Sequence, residues 1–140
     1  MGRQEGSDEE GSMHALRKED LPFVGSSYEF VGAEQGDVPV SFFMVEAQPG
    51  RGAPLHPHQY DEVLVMLEGS GRLVVGEETR VVGAGEIVVV KAGTPHGFVN
   101  IGDGLLRQID VHAHPRFEQE NLEPTEVSKR AGLPVPVNRV

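Results

Sequence analysis

Three histidines and one glutamate carry the chemistry that this sequence offers. His56 and His58 stand two residues apart. In an extended segment both rings point to one face, about 7 Å apart at the backbone, which lets two imidazoles converge on one ion. Glu62 follows His56 by six residues. On a straight strand that is about 20 Å, too far to share an ion, so the chain must bend between His58 and Glu62. Gln59-Tyr60-Asp61 supplies the turn, and Glu62 then opens the apolar run Val63–Leu67, projecting inward with Leu64 and Met66. A carboxylate leading such a run is costly to bury unless it is paired or coordinated. His96 follows Gly93-Thr94-Pro95, where proline fixes the backbone. Singly, each residue has an ordinary explanation as a strand-end or turn residue. Together, three nitrogens and one oxygen are the donors that Fe, Mn, Co, Ni, Cu or Zn accept. The expectation is one divalent transition-metal ion per chain, on His56, His58, Glu62 and His96.

The elements that must position these residues are short. Apolar runs at Val38–Ala47, Val63–Leu67, Leu73–Val75, Val81–Val82, Ile87–Val90 and Leu105–Val111 read as strands, separated by Gly-, Pro- and acid-rich turns. Gly and Pro supply 28 of the 140 residues, against about 12% in average proteins, which disfavours a helical bundle. Regular short strands at this spacing predict an all-β sandwich or barrel. The chain divides into an acidic, flexible N-terminal arm (1–20), a β-domain (21–115) and a C-terminal tail (116–140). Within that tail, Thr125 caps a short helix through Arg130, and Gly132 ends it.

Composition removes several classes of function. A net charge of −10 repels a polyphosphate backbone, so nucleic acid is not an expected partner. The absence of Cys removes disulfides, thiolate zinc sites and thiol catalysis. No window approaches the roughly 20 apolar residues of a membrane helix. The N-terminus lacks the basic-then-apolar pattern of a secretion signal, which makes a cytoplasmic location the default expectation.

The spacing of the four candidate ligands resembles the cupins. Their first motif reads here Gly50-x5-His56-x-His58-x3-Glu62-x6-Gly69, and their second reads Gly85-x5-Lys91-x-Gly93-x2-His96-x3-Asn100. Only Lys91 departs, where the family has Pro, and that loses a turn constraint but no ligand. The resemblance implies an antiparallel jelly-roll β-barrel with a short irregular or helical C-terminal tail, and a metal held inside by His56, His58, Glu62 and His96.

The cavity wall is read from strand parity. Phe42 and Met44, rather than Phe43 and Val45, are the expected lining from the strand before the first motif, joined by Leu64, Met66, Phe98 and His112. Gln108, Asp110 and His112 alternate with Ile109, Val111 and Ala113. The apolar-in rule sends the polar set to water, although the same set could reach the cavity. Val63, Val65 and Leu67 are apolar on the face away from Glu62 and need cover, which predicts a homodimer through that sheet. The expected function is metal-dependent action on a small molecule, led by oxidation of the dioxygenase type. A metal-assisted isomerase or epimerase of a sugar or keto acid, and a non-catalytic binding module, are the alternatives. The sequence names no catalytic acid or base.

Overall fold

A computed structural model describes residues 13–136. Of the arm expected over residues 1–20, the first twelve residues lie outside that range. Ten strands follow in chain order: β1 (Phe23–Val24), β2 (Ser27–Phe30), β3 (Ser41–Ala47), β4 (Gly52–His56), β5 (Glu62–Glu68), β6 (Ser70–Val75), β7 (Glu78–Gly83), β8 (Ile87–Val90), β9 (His96–Asn100) and β10 (Leu106–His112). Two short helices, α1 (Gly32–Gln35) and α2 (Glu126–Ala131), complete the described elements with a 3-10 turn at Lys18–Asp20. All strand pairs are antiparallel, in a six-stranded sheet β1-β2-β3-β10-β5-β8 and a four-stranded sheet β4-β9-β6-β7. This is the expected jelly-roll barrel.

The core forms between the sheets because both inner faces are apolar at every second residue. Phe43, Val45, Ala47, Leu64, Met66 and Leu106 from the larger sheet meet Leu73, Val82 and Phe98 from the smaller one. Side chains of this size contribute about 1.5–3 kcal/mol each when fully buried. Leu55, Val74 and Val99, on the outer side of the smaller sheet, are covered by Ala131 and Leu133 of the C-terminal tail.

Four strands, β1, β2, β4 and β9, are absent from the apolar runs, for a local reason. In β4 the residues Gly52, Ala53 and Pro54 carry no β signal, and Pro54 is tolerated because β4 is an edge strand. Its ladder with β9 is irregular between Ala53 and His56. Gly52 is there for space: a Cβ at this position would stand 2.0 Å from the Phe98 carbonyl oxygen. The expected C-terminal helix is present. The Thr125 hydroxyl accepts from Ser128 N–H at 3.1 Å, and Gly132 ends α2 in the left-handed region at φ 80°. Among the described residues, no helix is long and apolar enough to cross a membrane.

Candidate metal centre

The two sheets meet at the expected ligands. His56 at the end of β4 pairs in register with His96 at the start of β9. Glu62, the first residue of β5, stands opposite His112 of β10. His58 lies in the bend between β4 and β5, where the sequence requires one. The bend is braced: Gly93 N–H donates to the His58 carbonyl at 2.7 Å, and Asp61 accepts from Ala92 N–H at 2.9 Å and from Lys91 at 3.2 Å. The residue that departs from the cupin motif thus ties the second motif to the first. All four candidate ligands are buried, and one donor atom from each lies within 4.8 Å of the others. Opposite nitrogens around an ion at about 2.1 Å are about 4.2 Å apart, so this is the span of one coordination shell.

Backbone carbonyls aim the imidazoles. Nδ1 of His56 donates to Pro54 O at 2.7 Å, that of His58 to Glu118 O at 2.7 Å, and that of His96 to Thr94 O at 2.9 Å. Each ring therefore turns Nε2 toward the shared centre, the arrangement that fixes metal-ligating tautomers. His58 Nε2 is buried with no hydrogen-bond partner, 3.4 Å from Glu62 Oε1. An orphaned buried nitrogen aimed at a carboxylate and two other imidazoles fits a metal ion. His96 Nε2 approaches the same carboxylate oxygen at 2.8 Å.

His112 sits beside this set rather than in it. The Tyr60 hydroxyl and His112 Nδ1 are hydrogen-bonded at 2.9 Å, and His112 Nε2, buried without a hydrogen-bond partner, faces Glu62 Oε2 at 3.7 Å. Tyr60 also stacks on His58, with ring centroids 4.8 Å apart. Tyr60 and the tail residues Phe117 and Glu118 are the participants that spacing arguments miss. A lone aromatic at 117 in a polar tail is the one signal that could have flagged the last pair. Phe117 packs on Phe43 with centroids 4.4 Å apart and reaches the rings of His58 and His112. Deleting the chain from Arg116 onward should therefore loosen His58 and weaken metal binding about 10–100-fold, the usual cost of losing a group that orients a ligand. Competition with a chromophoric chelator measures this.

Burial sets the protonation states. It is the first cause that lowers His56, to about 3, followed by the charge of His96. Burial likewise lowers His112 to about 4 and lowers His58. Glu62 would be raised by burial, but the His96 hydrogen bond and the charges of His112, His96 and His58 hold it below the usual range. A histidine that stays neutral when folded, yet protonates near 6.5 when unfolded, loses stability as pH falls between those values. The metal-free protein should lose on the order of 3 kcal/mol at pH 4 for His56 and a similar amount for His112. Asp110 opposes this, because burial pushes its carboxyl well above the usual range, so part of the loss is offset. Urea midpoints at pH 7 and pH 4, taken with chelator present, test the sign.

A cavity of about 280 Å³ adjoins the centre. His56, Glu62, His96, Asp110 and His112 border it on one side, and Phe43, Val45, Leu73, Val90, Phe98 and Phe117 make the apolar wall. Of the residues read as its lining, Leu64, Phe98 and His112 border it. Phe42 and Met44 do not: they pair with Val111 and Ile109 on the outer face of the sheet, while Phe43 and Val45 pair with Asp110 and Gln108 on the inner face. Parity cannot be carried through the irregular loop that follows β3, and the β3–β10 register decides it. Met66 points inward but is 1% exposed in the core and does not border the cavity. The apolar-in expectation for β10 also fails. Gln108, Asp110 and His112 are buried, and Ile109 and Val111 face outward, because the inner face near the ions' ligands is the polar one.

Two antiparallel sheets clasping a histidine-rich acidic cluster define a small metal-binding β-barrel. A family model described as Cupin domain matches residues 43–112, half of the chain and both motifs, and the chain belongs to that family. The uncharacterized protein SCO3923 of Streptomyces coelicolor is 41% identical over 49 residues, 35% of this chain and 47% of that protein. Among solved structures, oxalate decarboxylase of Lactobacillus farciminis, in a formate complex, is similar with a TM-score of 0.68 and 24% identity, over 76% of this chain and 35% of that one. Oxalate decarboxylase of Bacillus subtilis, studied for its Mn(II) centres, has a TM-score of 0.65 and 21% identity, over 71% and 28%. The Cnp3 cupin domain of Schizosaccharomyces pombe has a TM-score of 0.52 and 22% identity, over 54% and 56%. The chain thus spans about half of the curated relative and about a third of the decarboxylases. At these identities the structures share the fold.

Proposed function

We propose that this cupin is a metal-dependent enzyme acting on a small molecule, and most directly an oxidoreductase of the dioxygenase type. The observation that carries the reading is the convergence of four buried donors, three of which border a largely apolar cavity. His56, His58, Glu62 and His96 hold the ion and leave positions open to a chelating substrate. A bound redox-active ion such as Fe(II) supplies one-electron chemistry toward O₂. Phe43, Val45, Phe98 and Phe117 exclude water and pack the substrate's body. Those walls suit an organic acid bulkier than oxalate. A metal-assisted isomerase or epimerase is the second reading, favoured by Asp110, a further buried carboxyl bordering the cavity that could take and return a proton.

Elemental analysis of protein purified without added metal, followed by oxygen-electrode screening with 2-hydroxy and 2-oxo acids, tests this. Iron with substrate-dependent O₂ uptake supports the first reading. Turnover with zinc or manganese and no O₂ uptake supports the second. Saturable binding without turnover under any metal overturns both in favour of a binding module.

The same reading includes a homodimer. Phe42, Met44, Val63, Val65, Ile109 and Val111 form an apolar outer face, continued by Ile87 and Val89 at 65% and 59% exposure. An uncovered face of this kind marks a contact site. Sedimentation velocity at micromolar concentration should give twice the 15.2 kDa of one chain. A single species of 15.2 kDa removes the dimer and leaves the metal centre untouched.

A further inference from the structure

Within the barrel, one polar pair is unused by the metal centre. Asp110 is 6% exposed on the inner face of β10 and borders the cavity. Its Oδ1 accepts from Gln108 Nε2 at 2.7 Å, and among the described residues Gln108 supplies the one hydrogen bond to this carboxyl. Gln108 is 1% exposed, and its Oε1 has no partner. Register sets Asp110 between Phe43 on β3 and Leu64 on β5. It is diagonal to Glu62, which stands opposite His112, so the two positions are about 7–8 Å apart, with their Cβ atoms somewhat closer. A buried carboxyl with a half-satisfied amide behind it costs stability in an apolar wall. Leucine and valine would fill these positions at lower cost. Such a pair is retained where something else uses it, and the side of Asp110 not engaged by Gln108 borders open space.

We propose that Asp110, oriented by Gln108, is the specificity residue of the cavity, hydrogen-bonding a hydroxyl group on an apolar, chelating organic acid. The inference rests on the reading of His56, His58, Glu62 and His96 as a metal centre, which holds the acid's other end. The ligand class follows from the wall: Asp110 is the buried carboxyl on it that is not a candidate ligand, Ser26, Ser27, Glu29 and Gln119 are its other polar residues besides the histidines and Glu62, and aromatic and branched side chains supply most of its apolar surface. A compact ring or branched chain fits between, with its chelating oxygens at the ion and a hydroxyl further along, on the side of Asp110.

The test is isothermal calorimetry on protein loaded with zinc, using mandelate and its 3- and 4-hydroxy derivatives as probes. All three chelate through the 2-hydroxy acid, and two carry an additional donor on the ring. The intact protein should bind one hydroxylated isomer about tenfold more tightly than mandelate, the worth of one hydrogen bond to a carboxyl. The double variant Gln108→Leu with Asp110→Val replaces both partners by apolar groups and should fold. It should keep one zinc per chain and the mandelate affinity, and lose the tenfold preference. Asp110→Ala should lose the preference as well. Equal binding of the three probes by the intact protein overturns the inference, as does a preference that survives in either variant, or mandelate failing to bind a zinc-loaded chain. In those outcomes zinc stoichiometry stays at one and the metal centre stands. An intact protein that binds no zinc overturns both.

Discussion

Substituting His58 by alanine should bring bound metal from one ion per chain to well below one after exchange into metal-free buffer. Of the four donors, His58 alone sits in a connection rather than a strand, and its Nε2 is fully buried with no hydrogen-bond partner. Its removal takes away one of the four donors within 4.8 Å of one another, a cluster that His112 lies outside. The remaining His56, Glu62 and His96 form a three-donor site that is weaker and open to water. Inductively coupled plasma analysis gives the stoichiometry, and circular dichroism gives the fold, which should persist because the bend is braced through the His58 backbone carbonyl and Asp61. Full occupancy in the variant would mean that the ion's centre lies elsewhere.

The second large effect is on the scaffold. Gly52→Ala should lower stability by about 3–5 kcal/mol, at the upper end of single substitutions, because a Cβ is driven into the backbone of a neighbouring strand. The nearest atoms would be the Phe98 carbonyl oxygen at 2.0 Å and the Val99 Cα at 2.8 Å, neither of which can swing aside. Either β4 separates from β9 or the ladder slips, and both outcomes displace His56 from His96. Gly50→Ala is the matched control. Its φ is +83° but a Cβ meets nothing within 4 Å. That change should cost only the left-handed strain of about 1–2 kcal/mol. Urea denaturation of both metal-free variants separates the two terms, and equal midpoints would contradict the close approach of β4 to β9.

The ligand set and the barrel were legible because they rest on spacing. His56, His58, Glu62 and His96 are recognisable by residue type and interval, and a bend between His58 and Glu62 follows from strand length alone. The capped helix at Thr125–Gly132 was legible for the same reason, since its signals are local. What spacing could not supply was which side of β3 and β10 faces inward. Phe42 and Phe43 are chemically alike, and only hydrogen-bonded register distinguishes them. Gln108, Asp110 and His112 defeat the apolar-in rule because this barrel's interior is partly polar, so a face that looks solvated is the inner wall. Strands β1, β2, β4 and β9 were hidden because β1 has only two residues and the other three carry Ser, Gly, Pro, Glu, His or Asn, which have no preference for pairing. Phe117 and Glu118 were hidden differently, because they reach the centre from about 60 positions away along the chain.

The contact from Glu118 has an implication for mutational surveys. What it gives His58 is a main-chain carbonyl, and every residue type carries one. A scan of replacements at position 118 other than proline would score as silent, and a conservation-minded reader would dismiss the site. Its contribution would surface only when the segment itself is shortened, lengthened or displaced, as by a fusion partner or affinity tag joined too near the barrel.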